Sequence, residues 1–244
     1  MRRFTVQPDQ LADGRVTFDA GESRHLARVL RLRAGDTIVA TDGAGHDYTV
    51  RLESLGEAAV GTILAVTSGA AASPLAITLI QGVPKGDKME TIIRAATELG
   101  VARVLPALCE RTIVRLEMSR WRDRARRWQR VAREAAKQSG RAVIPEVETP
   151  RLLGEWLAGA EPADLALCPW EGGGVPLNRA LDVAVVPCSV QVIVGPEGGL
   201  DEAEVALARA RGFTVASLGP RILRTETAGP AIVAILQSRF GDLG

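Results

Sequence analysis

Histidine is nearly missing. His25 and His46 are the only two in 244 residues, with no HxxxH or HExxH spacing. That excludes a histidine-based zinc hydrolase. Cysteine is scarce as well: Cys109, Cys168 and Cys188 lie far apart and form no CxxC. Neither a disulfide framework nor a zinc knuckle is expected, and each cysteine reads as a small buried hydrophobe. No apolar run approaches the ~20 residues of a membrane-spanning helix. Met1–Asp9 lacks the apolar stretch of a signal peptide. The expectation is a cytoplasmic protein with no membrane partner and no metal. The P-loop GxxxxGK, the dinucleotide turn GxGxxG and the nucleophile elbow GxSxG are also absent. Such a chain works by positioning its ligands, not through a strong nucleophile.

What is present is an ordinary globular composition, with 46% hydrophobic and 24% charged residues. It suffices for one large domain or two small ones. Net charge is only +1, yet it is unevenly spread. Residues 111–141 hold eleven Lys/Arg against Glu117, Asp123 and Glu134, which is +8 and leaves −7 elsewhere. A localised positive field suits a polyanion. The other reading is a solvated helix in a chain that prefers arginine, since 27 of its 30 basic residues are Arg.

Residues 1 to about 70 read as β-rich. Thr37–Thr41 and Tyr48–Leu52 flank a hairpin loop at Asp42–Asp47, and Val60–Val66 is a further strand. Ser23–Arg31 reads as a helix with Leu26, Val29 and Leu30 on a buried face and Arg24, Arg28 and Arg31 on the other. Thr67–Pro74, small and polar, reads as the linker. The domains are therefore expected at 1–72 and 73–244.

Beyond the linker, strands and helices alternate, which implies an α/β domain with a mostly parallel sheet covered on both faces. Leu75–Ile80 is a buried-type strand. Asp87-x-x-Glu90 has the form of a capping box, followed by Met89, Ile92, Ile93 and Ala96 at helical spacing up to Gly100. Val101–Leu108 is a strand in which Pro106 marks an exposed end. Ser119 caps a long helix with Trp121, Ala125, Trp128, Ala132 and Ala135 on one face, and Gly140 ends it. Asp164–Pro169 is a strand and Leu177–Leu181 a short helix. Helices are expected over 201–211, with Asp201-x-x-Glu204 as capping box, and over 227–239, with Pro230 in the first turn. Ile232, Val233, Ile235 and Leu236 make that last helix apolar over more than one face, which suits burial in a core or between subunits.

Two glycine-rich turns stand where an apolar strand gives way to a helix. Val190–Val194 runs into Gly195-Pro196-Glu197-Gly198-Gly199-Leu200. Phe213–Ser217 runs into Leu218-Gly219-Pro220-Arg221-Ile222-Leu223-Arg224-Thr225-Glu226-Thr227. Ligands bind at the carboxyl ends of strands in such sheets, so the two turns suggest one shared pocket. Leu218-Gly219 and Ile222-Leu223 combine main-chain hydrogen-bonding groups with an apolar wall, which suits an adenine-type ligand.

These turns, with Arg24-His25-Leu26 through Leu30-Arg31-Leu32-Arg33-Ala34-Gly35-Asp36, Lys85-Gly86-Asp87-Lys88-Met89-Glu90 through Glu98-Leu99-Gly100-Val101, and Glu134–Arg141, resemble the RsmE-type ribosomal RNA uridine-N3 methyltransferases. That family is a branch of the SPOUT superfamily. The match runs in order along nearly the whole chain, and LGPRILRTETA is its most specific part. Gly229-Pro230 departs from it, and the stretch Trp170-Glu171-Gly172-Gly173-Gly174 is not recognisable in it. The resemblance implies a SPOUT domain with a trefoil knot, a PUA-like N-terminal barrel and a homodimer. It implies S-adenosylmethionine held by Val194, Gly195, Pro196, Glu197, Gly198, Gly199, Leu218, Gly219, Ile222, Leu223 and Arg224. The substrate it implies is a uridine in the decoding region of the small-subunit ribosomal RNA, methylated on N3.

Uridine N3–H is a weak acid whose nitrogen becomes nucleophilic once the proton leaves, so alignment and deprotonation suffice. Arg224 suits the developing anion, and Glu197 or Glu226 suits orienting it or acting as base. The other roles open to them are an Arg224–Glu226 pair tying down the loop and a loop-stapling Glu197. Two basic patches are candidates for RNA: Arg24, Arg28, Arg31 and Arg33, and Lys85, Lys88 and Arg111. Other functional classes remain open: a SPOUT enzyme modifying another ribosomal or transfer RNA position, or a non-catalytic RNA-binding assembly factor.

Overall fold

The structure, a computed structural model, describes residues 3–69, 72–159 and 161–244. Its residues divide into two compact units, 1–72 with 136–144, and 73–135 with 145–244.

The first unit is built on β1 (Arg3–Thr5), β2 (Leu11–Ala12), β3 (Arg15–Thr17), β4 (Thr37–Thr41), β5 (His46–Ser54) and β6 (Val60–Ser68). They form one sheet in the order β1-β4-β5-β6-β3-β2. Among the described residues no pairing of β1 with β2 closes this path into a barrel. Phe4, Val16, Phe18, Leu26, Ile38, Val50 and Leu52 are its core. Thr67 and Ser68 pair with Asp47 and His46, so the expected linker starts later than its composition suggests. Its Ala70 and Ala71 lie outside the described residues.

The helix expected at 23–31 is two pieces. Asp19 accepts hydrogen bonds from the amides of Gly21 and Glu22 at 2.8 Å and starts α1 (Ala20–Arg24). A π-turn, His25–Val29, follows, with Leu30 N donating to His25 O at 3.0 Å. The wider turn rotates later side chains out of the α-helical register. Leu26 is buried, but Val29 is 69% exposed, not on the buried face. Arg24, Arg28, Arg31 and Arg33 are exposed.

The second unit carries β7 (Ala76–Gly82), β8 (Arg103–Leu108), β9 (Glu146–Val147), β10 (Arg151–Leu152), β11 (Leu165–Pro169), β12 (Val175–Pro176), β13 (Ser189–Val194) and β14 (Thr214–Ser217). Its sheet has the order β10-β8-β7-β13-β11-β14-β12, with β9 also on β8. Every pairing in it is parallel. α2 (Lys88–Glu98), α3 (Met118–Ser139) and α7 (Thr225–Phe240) cover one face. There Ile77, Leu79, Val192, Ile92, Trp121, Trp128, Ile232 and Leu236 share a core. α4 (Leu153–Ala158) and α6 (Glu202–Ala210) cover the other, where Ile80, Ile193, Trp156, Val205 and Phe213 meet. α5 (Leu177–Ala180) is a single short turn. Alternate residues of β13 face opposite cores, as a doubly covered sheet requires.

Several helix boundaries differ from expectation for identifiable reasons. Asp201 and Glu204 form the reciprocal capping box expected of them. Asp87 makes no side-chain cap; it and Glu90 instead face Arg127, at 3.7 and 2.6 Å. Ser119 is inside α3, whose first turn is closed by Trp121 N donating to Glu117 O at 3.1 Å. α7 starts at Thr225, so Pro230 lies inside it and offers no N–H to the Glu226 carbonyl. Pro106 is buried between the residues of β8 that pair with β9 and those that pair with β10. Neither short strand needs its missing N–H, and its carbonyl accepts Trp156 Nε1–H at 2.8 Å. Cys109 and Cys168 are buried, whereas Cys188 is exposed. Burial pushes the Cys168 thiol up to about 12, so it stays protonated.

Candidate active site

The strand order decides what the two glycine-rich turns can do. β13 and β14 are consecutive along the chain, but β11 lies between them in the sheet. Three loops therefore leave one edge side by side. They enclose a cavity of about 580 Å³.

The first turn is fixed from below. Thr225 Oγ1 donates to Gly195 O at 2.7 Å. A side chain at Gly82 would come within 2.5 Å of Pro196 N, so β7 ends in glycine where this turn presses on it. Gly199 has φ +70°, and a Cβ there would meet Glu171 Oε1 at 2.1 Å. Gly198 lies away from the cavity lining; its carbonyl accepts Arg111 Nη1–H at 2.8 Å.

Val194, Gly195, Pro196, Glu197, Gly199, Leu218, Gly219, Leu223 and Arg224 line the cavity, as the sequence suggests. Ile222 also lies at it, but its side chain is 85% exposed, so Leu218 and Leu223, which pack on the core, form the apolar wall. Of the four buried-type residues noted in α7, Ile232, Val233 and Leu236 are inside the chain's own core, and Ile235 is 40% exposed.

The carboxylates differ sharply. Glu197 accepts hydrogen bonds from Lys85 N at 3.1 Å and Lys88 Nζ at 2.9 Å. Partial burial pushes its carboxyl up, but the Lys88 ammonium and the Glu197 and Lys85 amides outweigh this. The net pKa lies below the ordinary 4.5. Glu226 Oε2 is 3.7 Å from Lys88 Nζ and, though buried, accepts no hydrogen bond among the described residues. The hydrogen bond to Glu197 raises the Lys88 pKa above its ordinary value, against a lowering by desolvation. Arg224 is exposed and N-caps α7, its carbonyl accepting from Thr227 N and Ala228 N at 2.8 Å. Its guanidinium has no partner among the described residues, so the loop-tying Arg224–Glu226 pair is not formed.

Two residues of the second basic patch have structural partners: Lys88 between two carboxylates, and Arg111 on Gly198. Trp170 and Glu171, in the loop after Pro169 whose sequence matches no recognisable motif and carries no assigned role, also line the cavity. The position of β11 between β13 and β14 brings them in. Trp170 is anchored through its own N to Ala216 O at 3.0 Å.

A family model described as an RNA methyltransferase domain matches residues 71–237. Another, described as an RNA methyltransferase PUA domain, matches residues 18–61. Ribosomal RNA small subunit methyltransferase E of Synechocystis sp. is 36% identical over 234 residues, covering 95% of this chain and 76% of that protein. The Bacillus subtilis protein of that name is 32% identical over 213 residues, 85% of this chain and 83% of its own. The crystal structure of ribosomal RNA small subunit methyltransferase E from Neisseria gonorrhoeae bound to S-adenosyl methionine superposes with a TM-score of 0.90 at 36% identity, covering 100% of both chains.

Proposed function

Because the chain belongs to the ribosomal RNA small subunit methyltransferase E family, we propose that its cavity holds S-adenosylmethionine beside a uridine of the small-subunit ribosomal RNA, which is methylated on N3. The protein is an S-adenosylmethionine-dependent ribosomal RNA methyltransferase. The finer reading rests on one observation: an unpartnered Arg224 guanidinium at a cavity built from three strand-end loops.

The residues present fit the cofactor. The volume is within the ~300–1,000 Å³ of small-molecule sites. Gly199 leaves a cradle that a side chain would fill. Leu218 and Leu223 supply an apolar face for an adenine ring. Glu171, whose carboxylate has no partner among the described residues, suits the ribose hydroxyls. Bound there, the cofactor supplies an activated methyl on a sulfonium centre.

The chain's residues supply the rest. Arg224 donates hydrogen bonds to the uridine oxygen that gains charge as N3 loses its proton. Glu226 takes that proton, since its carboxylate accepts no hydrogen bond at Oε2 among the described residues and meets Lys88 only at 3.7 Å. Glu197, its pKa held down, ties the Lys85–Lys88 loop to the glycine turn. N3 lies on the Watson–Crick edge, so the base is met unpaired or extruded.

Residues 1–72 serve as the RNA-binding domain through Arg24, Arg28, Arg31 and Arg33, and 73–244 as the methyltransferase domain, except that 136–144 group with the first unit. This reading includes a cytoplasmic homodimer. Exposed Ile235 on α7 is consistent with the dimer, and no described helix is long and apolar enough to cross a membrane. It also includes a trefoil knot, supported by the non-sequential order of β13, β11 and β14. The test is nucleoside mass spectrometry of ribosomal RNA from a deletion strain. 3-Methyluridine should vanish and return with the parent gene, not with Arg224→Ala; its persistence in the deletion strain removes the uridine-N3 assignment.

A further inference from the structure

Lys88 is held by carboxylates at the cavity and Arg111 by the Gly198 carbonyl, but the second unit carries a further unpaired positive surface. α3 turns its tryptophan face inward, with Trp121 and Trp128 1% and 3% exposed. That leaves its arginines outside. Arg126 pairs with Asp123, Arg127 pairs with Glu90, and Arg124 lies 5.7 Å over the Trp121 ring. Arg120, Arg122 and Arg130 are exposed and have no ion pair or hydrogen bond among the described residues.

We infer that this face of α3 grips the phosphates of the ribosomal RNA that flanks the target uridine. The inference rests on the proposed methyltransferase reading and adds a second RNA surface to it, on the catalytic unit itself.

Three features favour RNA. Arg120 to Arg130 span ~15 Å at ~1.5 Å per residue, the length of about four phosphates at ~3.4 Å along one strand. The groups are all arginine, whose planar fork matches phosphate oxygens. The face also lacks the aromatic anchors on which protein interfaces depend, because both tryptophans of α3 are in the core and only Met118 at its start is a large exposed apolar side chain. The stripe is connected to the site: Arg127 is held by Glu90 and Asp87, which flank Lys88 at the cavity lining. RNA entering the cavity thus meets α3 next.

The test replaces Arg120, Arg122 and Arg130 together by Gln, with each single exchange alongside in case the triple variant does not fold. Filter binding to a small-subunit ribosomal RNA transcript and to poly(U) is measured across a salt series, with calorimetry of S-adenosylmethionine on the same samples. Affinity for both RNAs should fall tenfold or more at moderate salt. The log–log salt slope should fall by about two units for the triple change and about 0.7 for each single one. Cofactor affinity should stay at the parental value. Unchanged RNA affinity and slope in variants that still bind cofactor overturn the inference and leave the methyltransferase reading standing. Failure of the parent to bind cofactor instead strikes the enzymatic reading, while the RNA measurements still decide this one. Poly-glutamate displacing RNA at equal charge concentration would assign the face to an acidic protein and overturn it.

Discussion

Gln81 Nε2 donates to Thr225 Oγ1 at 2.9 Å, and Thr225 passes the bond on to the Gly195 carbonyl. Gln81 is fully buried. A side-chain relay from the central strand β7 thus sets the height of the glycine turn beneath the cavity. Thr225→Val removes the side-chain donor of the Gly195 carbonyl and leaves the Gln81 amide only the Gly82 carbonyl, at 3.1 Å. It should cost about 1–3 kcal/mol of stability and weaken S-adenosylmethionine binding severalfold, with Thr225→Ser restoring both. Denaturant titration and calorimetry check this; cofactor affinity unaffected by Val would separate the relay from the turn.

Gly199→Val should abolish cofactor binding in a protein that still folds. The backbone there is left-handed, and a Cβ would collide with the Glu171 carboxylate. Gly199→Ala should show the same defect more weakly. Circular dichroism with calorimetry reads both.

Arg224→Ala should lose methyl transfer on the order of 100-fold in the chemical step, with cofactor affinity much less changed. Lysine should rescue only partly, because it lacks the planar fork. Single-turnover methylation at saturating RNA and cofactor measures it. A near-normal rate would demote Arg224 to loop architecture.

Acid should release the Glu197 tie. Its folded-state pKa is below the ordinary 4.5, so its stabilising contribution is complete above that value and is lost as pH falls through the folded pKa. Glu197→Gln should melt below the parent near neutral pH, and the gap should close in strong acid. A gap that persists in acid would mean that charge is not what holds the loop.

Most elements were legible because their periodicity answers to burial. The Trp121–Ala135 face, the Asp201 capping box and the doubly buried strands are local patterns with local causes. What failed was decided at a distance. Asp87 and Glu90 have the form of a cap, but Arg127 from another helix claims them. Pro106 looks like an edge residue, but two short strands stop either side of it. Val29 follows a helical period until a π-turn breaks it. In the cavity, the two turns were readable because each is one continuous motif. The loop of Trp170 and Glu171 matches no recognisable motif, and the roles of these residues follow from a strand order that no single stretch of chain encodes. The state of Lys88 was equally hidden, because its two carboxylate partners lie more than a hundred positions away.

The pairing of β7 with β13 joins Ile77 to Val190, 113 positions on. Closing so long a loop precedes any reward from the contact, so this chain should fold slowly for its size. Loops at the ends of β11, β13 and β14 have no common floor until that late step is complete. On a ribosome, the cofactor site would therefore come into being only once β14 and α7 have been made, and a nascent chain stopped short of α7 would lack the Thr225 hydroxyl that fixes the glycine turn for its methyl donor.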